Sequence, residues 1–310
     1  MRLTKDAALN ESPGVVTPPP VSNPATTIQP GVHHSEPTLT VIEGLNYWTM
    51  NDVRELIRYR ELFFHLTLRD IKLRYKQTIF GVGWTVFQPL ATVLVFAVFL
   101  GASGKLSEGV TNVSYTLFLL CGVLPWTYFA NSTTNAANSL VGNERLVTKT
   151  FFPRVLLPAS NIAAASFDFF IALIILAVWM IADGPAPTIR ILLAPFLIVL
   201  LSAFAFGLGT LLSALIATQR DFRYLLTFGM QLWMFATPCI YTPPSMLSPK
   251  TQMWLQLNPV YGIILNFRNS ILGDEIQWVP LFVSIAFTLF ILGFGLIYFR
   301  RVENTMADVI

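Results

Sequence analysis

Six long apolar stretches constrain the fold of this chain more than any other feature. Most have the ~20 apolar residues that a helix needs to cross a bilayer. Charged residues make up only 12% of the chain, against about 25% in soluble proteins. The sequence therefore predicts an all-α polytopic membrane protein with six transmembrane helices. The predicted spans are Trp84–Gly104, Tyr115–Ala136, Leu156–Ala182, Ile191–Ala217, Leu225–Tyr241 and Val279–Phe299.

The basic residues are distributed unevenly between the two predicted sides of the membrane. Sixteen of the 20 Lys and Arg residues precede the first stretch, follow the last or lie in alternate loops, and only Lys105, Arg190, Lys250 and Arg268 lie on the other side. Loops rich in Lys and Arg stay in the cytoplasm. We therefore expect both termini to be cytoplasmic in a multi-pass protein of a bacterial inner (plasma) membrane.

The composition divides the chain into four segments. Residues 1–45 are rich in Pro, Ser and Thr and lack an apolar signal region, which predicts a disordered cytoplasmic tail. Residues 51–78 are predicted to form an amphipathic interfacial helix, residues 80–301 the six-helix domain, and residues 302–310 a cytoplasmic tail. The helix has a polar face at spacings of three and four, namely Arg54, Arg58, Glu61, His65, Arg69, Lys72 and Lys76. The alternative interpretation of residues 51–78 is an ordinary positively charged segment before the first span, which sets the topology without forming an interfacial helix.

Prolines interrupt the outer segment between the fifth and sixth stretches. Between them lie two apolar runs, Met253–Leu257 and Val260–Phe267, which are too short to cross a bilayer. This pattern predicts short re-entrant helices that dip into the outer leaflet.

Asp168 is the one acid clearly inside a predicted span. Placing such a charge in hydrocarbon costs ~3 kcal/mol on insertion scales, so a proton relay and a structural bond are both considered. A relay needs a second titratable group at similar depth, and none is visible mid-span. The favoured interpretation is an intramembrane structural acid that bonds to a neighbouring helix.

The motifs of nucleotide and metal chemistry are missing from the sequence. It contains no G-x-x-x-x-G-K-[ST] loop, no H-E-x-x-H and no cluster of metal ligands. We therefore predict no catalytic, metal or cofactor site in this chain. If it is a pump, its energy comes from another subunit.

Several short motifs occur in an order that resembles a known family. Residues 66–78, LTLRDIKLRYKQT, are followed by FGVGW at 80–84 and QP at 88–89. This run is similar to the first cytoplasmic segment of type-2 ABC transporter permeases that export polysaccharides, including O-antigen, teichoic-acid and capsule exporters. The family's cytoplasmic loops resemble two further parts of the sequence, around Phe152-Pro153 and at Arg220-Asp221-Phe222. Leu257-Asn258-Pro259 resembles its late outer segment.

The resemblance implies a transport subunit rather than an enzyme. It implies a homodimer with two copies of a separate ABC ATPase that binds ATP and Mg, and no nucleic-acid partner. The substrate would be a polysaccharide on a polyprenyl diphosphate, moved through membrane lipid to the outer face. The loops that would couple to the ATPase carry Asn143, Arg145, Lys149, Phe152, Pro153, Arg220 and Asp221. The Phe151-Phe152 pair looks like an exposed anchor for a groove in that partner.

Two sets of residues are candidates for handling the substrate. The cations Arg69, Lys72, Arg74 and Lys76 would attract the lipid diphosphate where it enters. Aromatic residues would contact sugar rings along the glycan pathway, although aromatic residues also collect at membrane interfaces without such a role. They are Trp84, Phe87, Trp126, Tyr128, Phe129, Trp233 and Tyr241.

Two alternatives stay open at the level of sequence. One is an ABC permease of the same architecture that exports a drug, haem or a small lipid. The other is a membrane-embedded enzyme acting on polyprenyl lipids, which would need acids and histidines near the membrane surface, usually with Mg²⁺. The outer loops supply four acids and no histidine, which favours the transporter.

Overall fold

The computed structural model describes residues 50–76, 81, 83–101, 114–240 and 249–303. The chain is helical over these residues, and they contain no strand. The predicted tail 1–45 lies outside the described residues, as do Tyr241 and residues 304–310.

Eleven α-helices and one short 3-10 helix, Ile189–Leu193, occupy the described part of the chain. The first five are α1 (Met50–Arg58), α2 (Arg60–Tyr75), α3 (Gly83–Gly101), α4 (Tyr115–Gly142) and α5 (Glu144–Lys149). The others are α6 (Leu156–Asp183), α7 (Ala194–Thr218), α8 (Phe222–Ala236), α9 (Pro249–Gln256), α10 (Pro259–Leu272) and α11 (Trp278–Glu303).

Three helical segments are long and apolar enough to cross a membrane. They are α6, the continuous segment Ile189–Thr218 and α11, with 28, 30 and 26 residues. Large apolar side chains on them face outward, and Ile181 is 88% exposed. Such surfaces are stable in lipid and unfavourable in water. The chain is therefore an all-helical membrane protein, and the count of six spans stays a prediction.

The predicted fifth span differs most from the helix that the structure contains. α8 ends at Ala236, five residues before the predicted end at Tyr241. Thr237 is extended, with φ −111° and ψ 125°, because a residue before proline is driven out of the α region and Pro238 follows it. With 15 residues, α8 is about 22 Å long, shorter than the ~30 Å hydrocarbon core.

α4 lies at the centre of the bundle and packs against α6 and α7, while α11 covers α7. Glycines allow the closest approaches. A Cβ on Gly209 would lie 2.7 Å from the Cβ of Ala136, and one on Gly207 would lie 2.6 Å from the Cα of Leu292. Small residues at such contacts let helices pack closely in a membrane.

A second core cluster joins one end of the bundle. It contains the ends of α4, α7 and α11, the start of α6, and residues from α2, α5 and the loop before α6. These helix ends therefore lie together on one side of the molecule. The cluster consists of Leu66, Leu140, Val147, Phe152, Val155, Leu156, Leu157, Ala214, Ala217 and Phe299.

Two short helices, α9 and α10, lie in the segment before α11. Asn258 begins α10, since its side chain accepts a hydrogen bond from the backbone NH of Val260 at 3.1 Å and another from Trp233 Nε1 at 3.1 Å. α10 is buried against α4, α7 and α11. Its 14 residues span only about 21 Å, too short to cross a bilayer. Re-entry into the outer leaflet stays a prediction.

Candidate functional site

The four cations predicted to meet the lipid diphosphate lie on the last two turns of α2, or just after it. Lys72 and Lys76 are exposed. Arg69 instead donates from Nε and Nη2 to one oxygen of Asp70, at 3.0 and 2.7 Å. Arg74 forms an ion pair with Asp168. The structure thus divides the set into two solvent-facing lysines and two arginines that already have carboxylate partners.

Asp168 links three helices through a small polar network. Its carboxylate accepts hydrogen bonds from the Arg74 guanidinium and from the Tyr75 hydroxyl, which joins α6 to α2. The Tyr75 hydroxyl also lies 3.0 Å from the Thr85 hydroxyl on α3. The acid is therefore held by α2 instead of facing lipid alone, which offsets its cost in the apolar interior.

Tyr75 keeps its proton in this network. Burial, and then its hydrogen bond to Asp168, raise the pKa of the Tyr75 phenol to about 12. At physiological pH the hydroxyl therefore remains a donor to the carboxylate. Tyr75 and Arg74 together supply two donors to the two oxygens of Asp168.

Asp70 ties α2 to α6 a second time. It is only 9% exposed, and its second oxygen accepts a hydrogen bond from the Ser160 hydroxyl at 3.1 Å. Leu66, one turn earlier, is also buried. Leu66 and Asp70, four residues apart, therefore both lie on the buried side of α2. Asp70 was not among the predicted site residues, although its four-residue spacing from Leu66 and Arg74 is a signal for it in the sequence.

A cavity of about 280 Å³ lies beside the Asp168 network. It is partly open and is lined by the end of α2, the first two turns of α3, the middle of α4 and the middle of α6. The lining combines apolar and aromatic side chains with amides and hydroxyls. The lining consists of Arg74, Tyr75, Gly81, Trp84, Thr85, Gln88, Pro89, Leu124, Thr127, Tyr128, Asn131, Ala165, Asp168, Phe169 and Ala172.

The predicted pathway aromatics fall into two groups. Trp84 and Tyr128 line the cavity, and Phe87 is exposed near Trp84. Trp126 and Phe129 are instead buried, and both pack edge-to-face against Trp233, with ring centroids 6.4 and 5.4 Å apart. Trp126 and Phe129 belong to the main core and the half-buried Trp233 packs against it, so their place on a glycan path stays a prediction.

The predicted coupling loop presents one phenylalanine and buries the other. Phe151 is 80% exposed, whereas Phe152 is 9% exposed and belongs to the second core cluster. The expectation that Phe152 is exposed is therefore wrong, and its part in coupling stays a prediction. The side chain packs inward because α6 begins four residues later, with Val155 and Leu156 buried beside it.

The remaining coupling residues lie on the same end of the bundle. Arg145 and Lys149 are exposed on α5, and Arg220 and Asp221 are exposed where α8 begins. Asn143 ends α4, where its side chain donates to the Ser139 carbonyl at 2.8 Å. Pro153 is partly exposed, next to Phe152.

Arg154 fixes the coupling loop to the end of α11. Its backbone NH donates to the Glu303 carboxylate at 3.1 Å, and its guanidinium donates to the Glu303 carbonyl. Arg300 pairs with the same carboxylate at 3.0 Å. The loop is thus anchored while Phe151 projects from it.

Arg268 is one of the four cations predicted on the outer side, and the structure buries it at 3% exposure inside α10. Its guanidinium donates to the carbonyls of Pro238 and Cys239 at 3.0 and 2.8 Å and lies 3.8 Å from the centroid of the Phe118 ring. It therefore holds the backbone that follows α8. Gly122 is required there, because a Cβ would lie 2.1 Å from the Cys239 oxygen.

Comparison with known proteins gives consistent matches over most of the chain. Residues 61–272 match the ABC-2 type transporter family. The chain is 28% identical over 256 residues to the O-antigen export system permease protein RfbA of Klebsiella pneumoniae, covering 81% of this chain and 95% of that protein. It is 29% identical over 218 residues to the protein of that name from Myxococcus xanthus, covering 70% and 82%. The polysialic acid transport protein KpsM of Escherichia coli is 25% identical over 252 residues, covering 78% and 93%.

Proposed function

The chain belongs to the ABC-2 type transporter family, and we propose that it is the membrane subunit of a polysaccharide exporter. The observation that carries this proposal is the match to export permeases over nearly their whole length, 95% for the Klebsiella protein. The cargo would be a glycan on a polyprenyl diphosphate, moved from the cytoplasmic to the outer face of the inner (plasma) membrane.

The proposed topology has six spans, with both termini in the cytoplasm. The second core cluster supports it, because alternate crossing requires the ends of α4, α7 and α11 and the start of α6 to share one side. At the other end, Arg190 before α7 donates to the Gly273 carbonyl after α10 at 2.6 Å. A cysteine at Asp274 should react with an impermeant thiol reagent in intact cells, and one at Lys149 should not. Labelling at position 149 would contradict this topology.

The energy for export would come from a separate ATPase that binds ATP and Mg. Two copies of it would dock on a homodimer of this chain, at the end formed by the second core cluster. Phe151 is the strongest anchor candidate, because it is 80% exposed on a loop fixed by Arg154 and Glu303. The exposed cations Arg145 and Lys149 lie beside it on α5.

The lipid diphosphate would approach from the cytoplasmic leaflet along α2. Lys72 and Lys76 are exposed and suited to attract phosphate. Arg74 pairs with Asp168 of α6, so its proposed part is to fix α2 against α6, whereas Arg69 pairs with Asp70 within α2. The basic end of α2 would then lie at headgroup level beside α3.

A gene deletion with complementation tests this proposal. Loss of the chain should remove glycan from the cell surface and leave lipid-linked glycan inside, and the wild-type gene should restore export. A Phe151→Ala variant should export poorly although it is inserted normally, whereas Phe64→Ala, an exposed phenylalanine on α2, serves as the matched control. Normal surface glycan in the deletion strain would contradict the proposal.

A further inference from the structure

We propose that the cavity beside Asp168 binds the first sugar ring of the lipid-linked glycan, the ring attached to the diphosphate. This inference rests on the proposed function and identifies which part of the substrate the cavity recognises. Its support comes from the size of the cavity, its charge balance and the side chains that are left to bind a ligand.

The charge balance disfavours the diphosphate itself as the occupant. Among the described residues, Arg74 is the one cation in the lining, and its charge is balanced by the ion pair with Asp168. A phosphate placed there would meet the Asp168 carboxylate at close range, which costs free energy in a site of low dielectric. The Tyr75 hydroxyl already donates to that carboxylate.

The groups left in the lining are neutral donors and acceptors. The side-chain amides of Gln88 and Asn131 make no hydrogen bond to another described residue, and Thr127 also lines the cavity. Each amide offers both donors and an acceptor, which matches the hydroxyl and acetamido groups of a sugar. Trp84 and Phe169 supply apolar walls for the ring faces.

The size of the cavity fits a single ring. At about 280 Å³ it is slightly smaller than the pockets that hold drug-sized ligands, which run from about 300 to 1,000 Å³. A polymer would not enter, but a terminal ring would. Lys76 at the end of α2 is exposed and lies outside the lining, so the diphosphate would stay at the basic end of α2 while the ring occupies the cavity.

Two lipids that differ by one sugar test this assignment. The full permease–ATPase complex in lipid nanodiscs is titrated with a polyprenyl diphosphate that carries one N-acetylhexosamine, and with the same polyprenyl diphosphate without sugar. The wild-type complex should bind the sugar-bearing lipid more tightly. Asn131→Leu should weaken binding of that lipid about tenfold, which corresponds to ~1.4 kcal/mol, and leave binding of the sugar-free lipid unchanged.

The matched control is Asn135→Leu, one helical turn further along α4 and outside the lining. It should leave both affinities unchanged. If Asn131→Leu does not fold, Gln88→Leu at the exposed start of α3 makes the same test. Equal losses for both lipids, or no loss for either, would overturn the inference.

The same titration separates this inference from the proposed function. A wild-type complex that binds both lipids with equal affinity would refute the sugar site and leave the exporter proposal standing. A folded wild-type complex that binds neither lipid would overturn both.

Discussion

Replacing Asp168 by alanine should destabilise the protein, because this acid joins α6 to α2. The carboxylate accepts hydrogen bonds from Arg74 and Tyr75. Its removal leaves the Arg74 guanidinium without its ion-pair partner, and it removes the hydrogen bonds from Arg74 and Tyr75 that join α2 to α6.

The magnitude follows from the two bonds and their burial. Hydrogen bonds to charged groups contribute about 1.5–3 kcal/mol each, and removing one partner of a buried pair costs about 3–5 kcal/mol. Arg74 and Asp168 retain 24% and 21% exposure, so solvent screens part of the effect and the loss should be about 3 kcal/mol. Asp168→Asn keeps hydrogen-bonding oxygen and nitrogen atoms and should cost roughly half as much.

The assay is thermal unfolding of the purified protein in detergent, followed by tryptophan fluorescence at one fixed scan rate, because membrane proteins often unfold irreversibly. At about 2–4 °C per kcal/mol, the melting temperature of Asp168→Ala should fall by about 6–12 °C. Asp183→Ala is the matched control, since Asp183 is exposed at the end of the same helix. A double variant, Arg74→Leu with Asp168→Ala, should melt above Asp168→Ala alone because no guanidinium is stranded.

Two results would refute this reasoning. One is a shift for Asp168→Ala no larger than that of Asp183→Ala. The other is a double variant as unstable as the sum of its single variants, since that would mean that Arg74 and Asp168 contribute independently.

Three further predictions concern other parts of the molecule. Phe152→Ala should lower the free energy of unfolding by about 3–5 kcal/mol, whereas Phe151→Ala should change it by less than ~0.5 kcal/mol and instead reduce ATPase stimulation. Gly122→Ala should destabilise by about 1–3 kcal/mol, because its Cβ would lie 2.1 Å from a backbone oxygen, while Gly142→Ala meets nothing within 4 Å and should be neutral or slightly stabilising in the same melting assay. The pKa of Tyr75 is raised from 10.0 to about 12, so its contribution to stability is complete below pH ~10 and lost as the pH rises towards 12. Tyr75→Phe should remove that part of the pH dependence of the melting temperature. An unchanged pH profile in this variant would contradict the prediction.

The helices could be predicted from the sequence because apolar runs of membrane length allow few other structures. Leu156–Ala182 differs from α6 by one residue, and Val279–Phe299 lies inside α11, which extends four residues further to Glu303. The sequence also contains the signal for the early end of α8, since Pro238 disfavours the helical conformation for the residue before it. The apolar run continues through Cys239, however, and this run led to the prediction of a longer span.

The long-range partners could not be read from one sequence. Arg74 and Asp168 lie 94 residues apart, and no periodicity relates them. Phe152 stands in a polar loop, and only the packing of α2, α6 and α11 around it shows that it is buried. Arg268 looks like an outer-loop cation until α10 is seen to bury it.

Transport in reconstituted vesicles tests the central claim most directly. The chain is purified with its ATPase partner and placed in liposomes with the ATPase facing outward, together with a polyprenyl-diphosphate-linked glycan. Appearance of the glycan in the lumen is measured with ATP, with a non-hydrolysable analogue, and with an ATPase-inactive partner. The account predicts ATP-dependent accumulation of glycan in the lumen only with the active pair. ATP hydrolysis that moves a drug or a small lipid but never the lipid-linked glycan would contradict it.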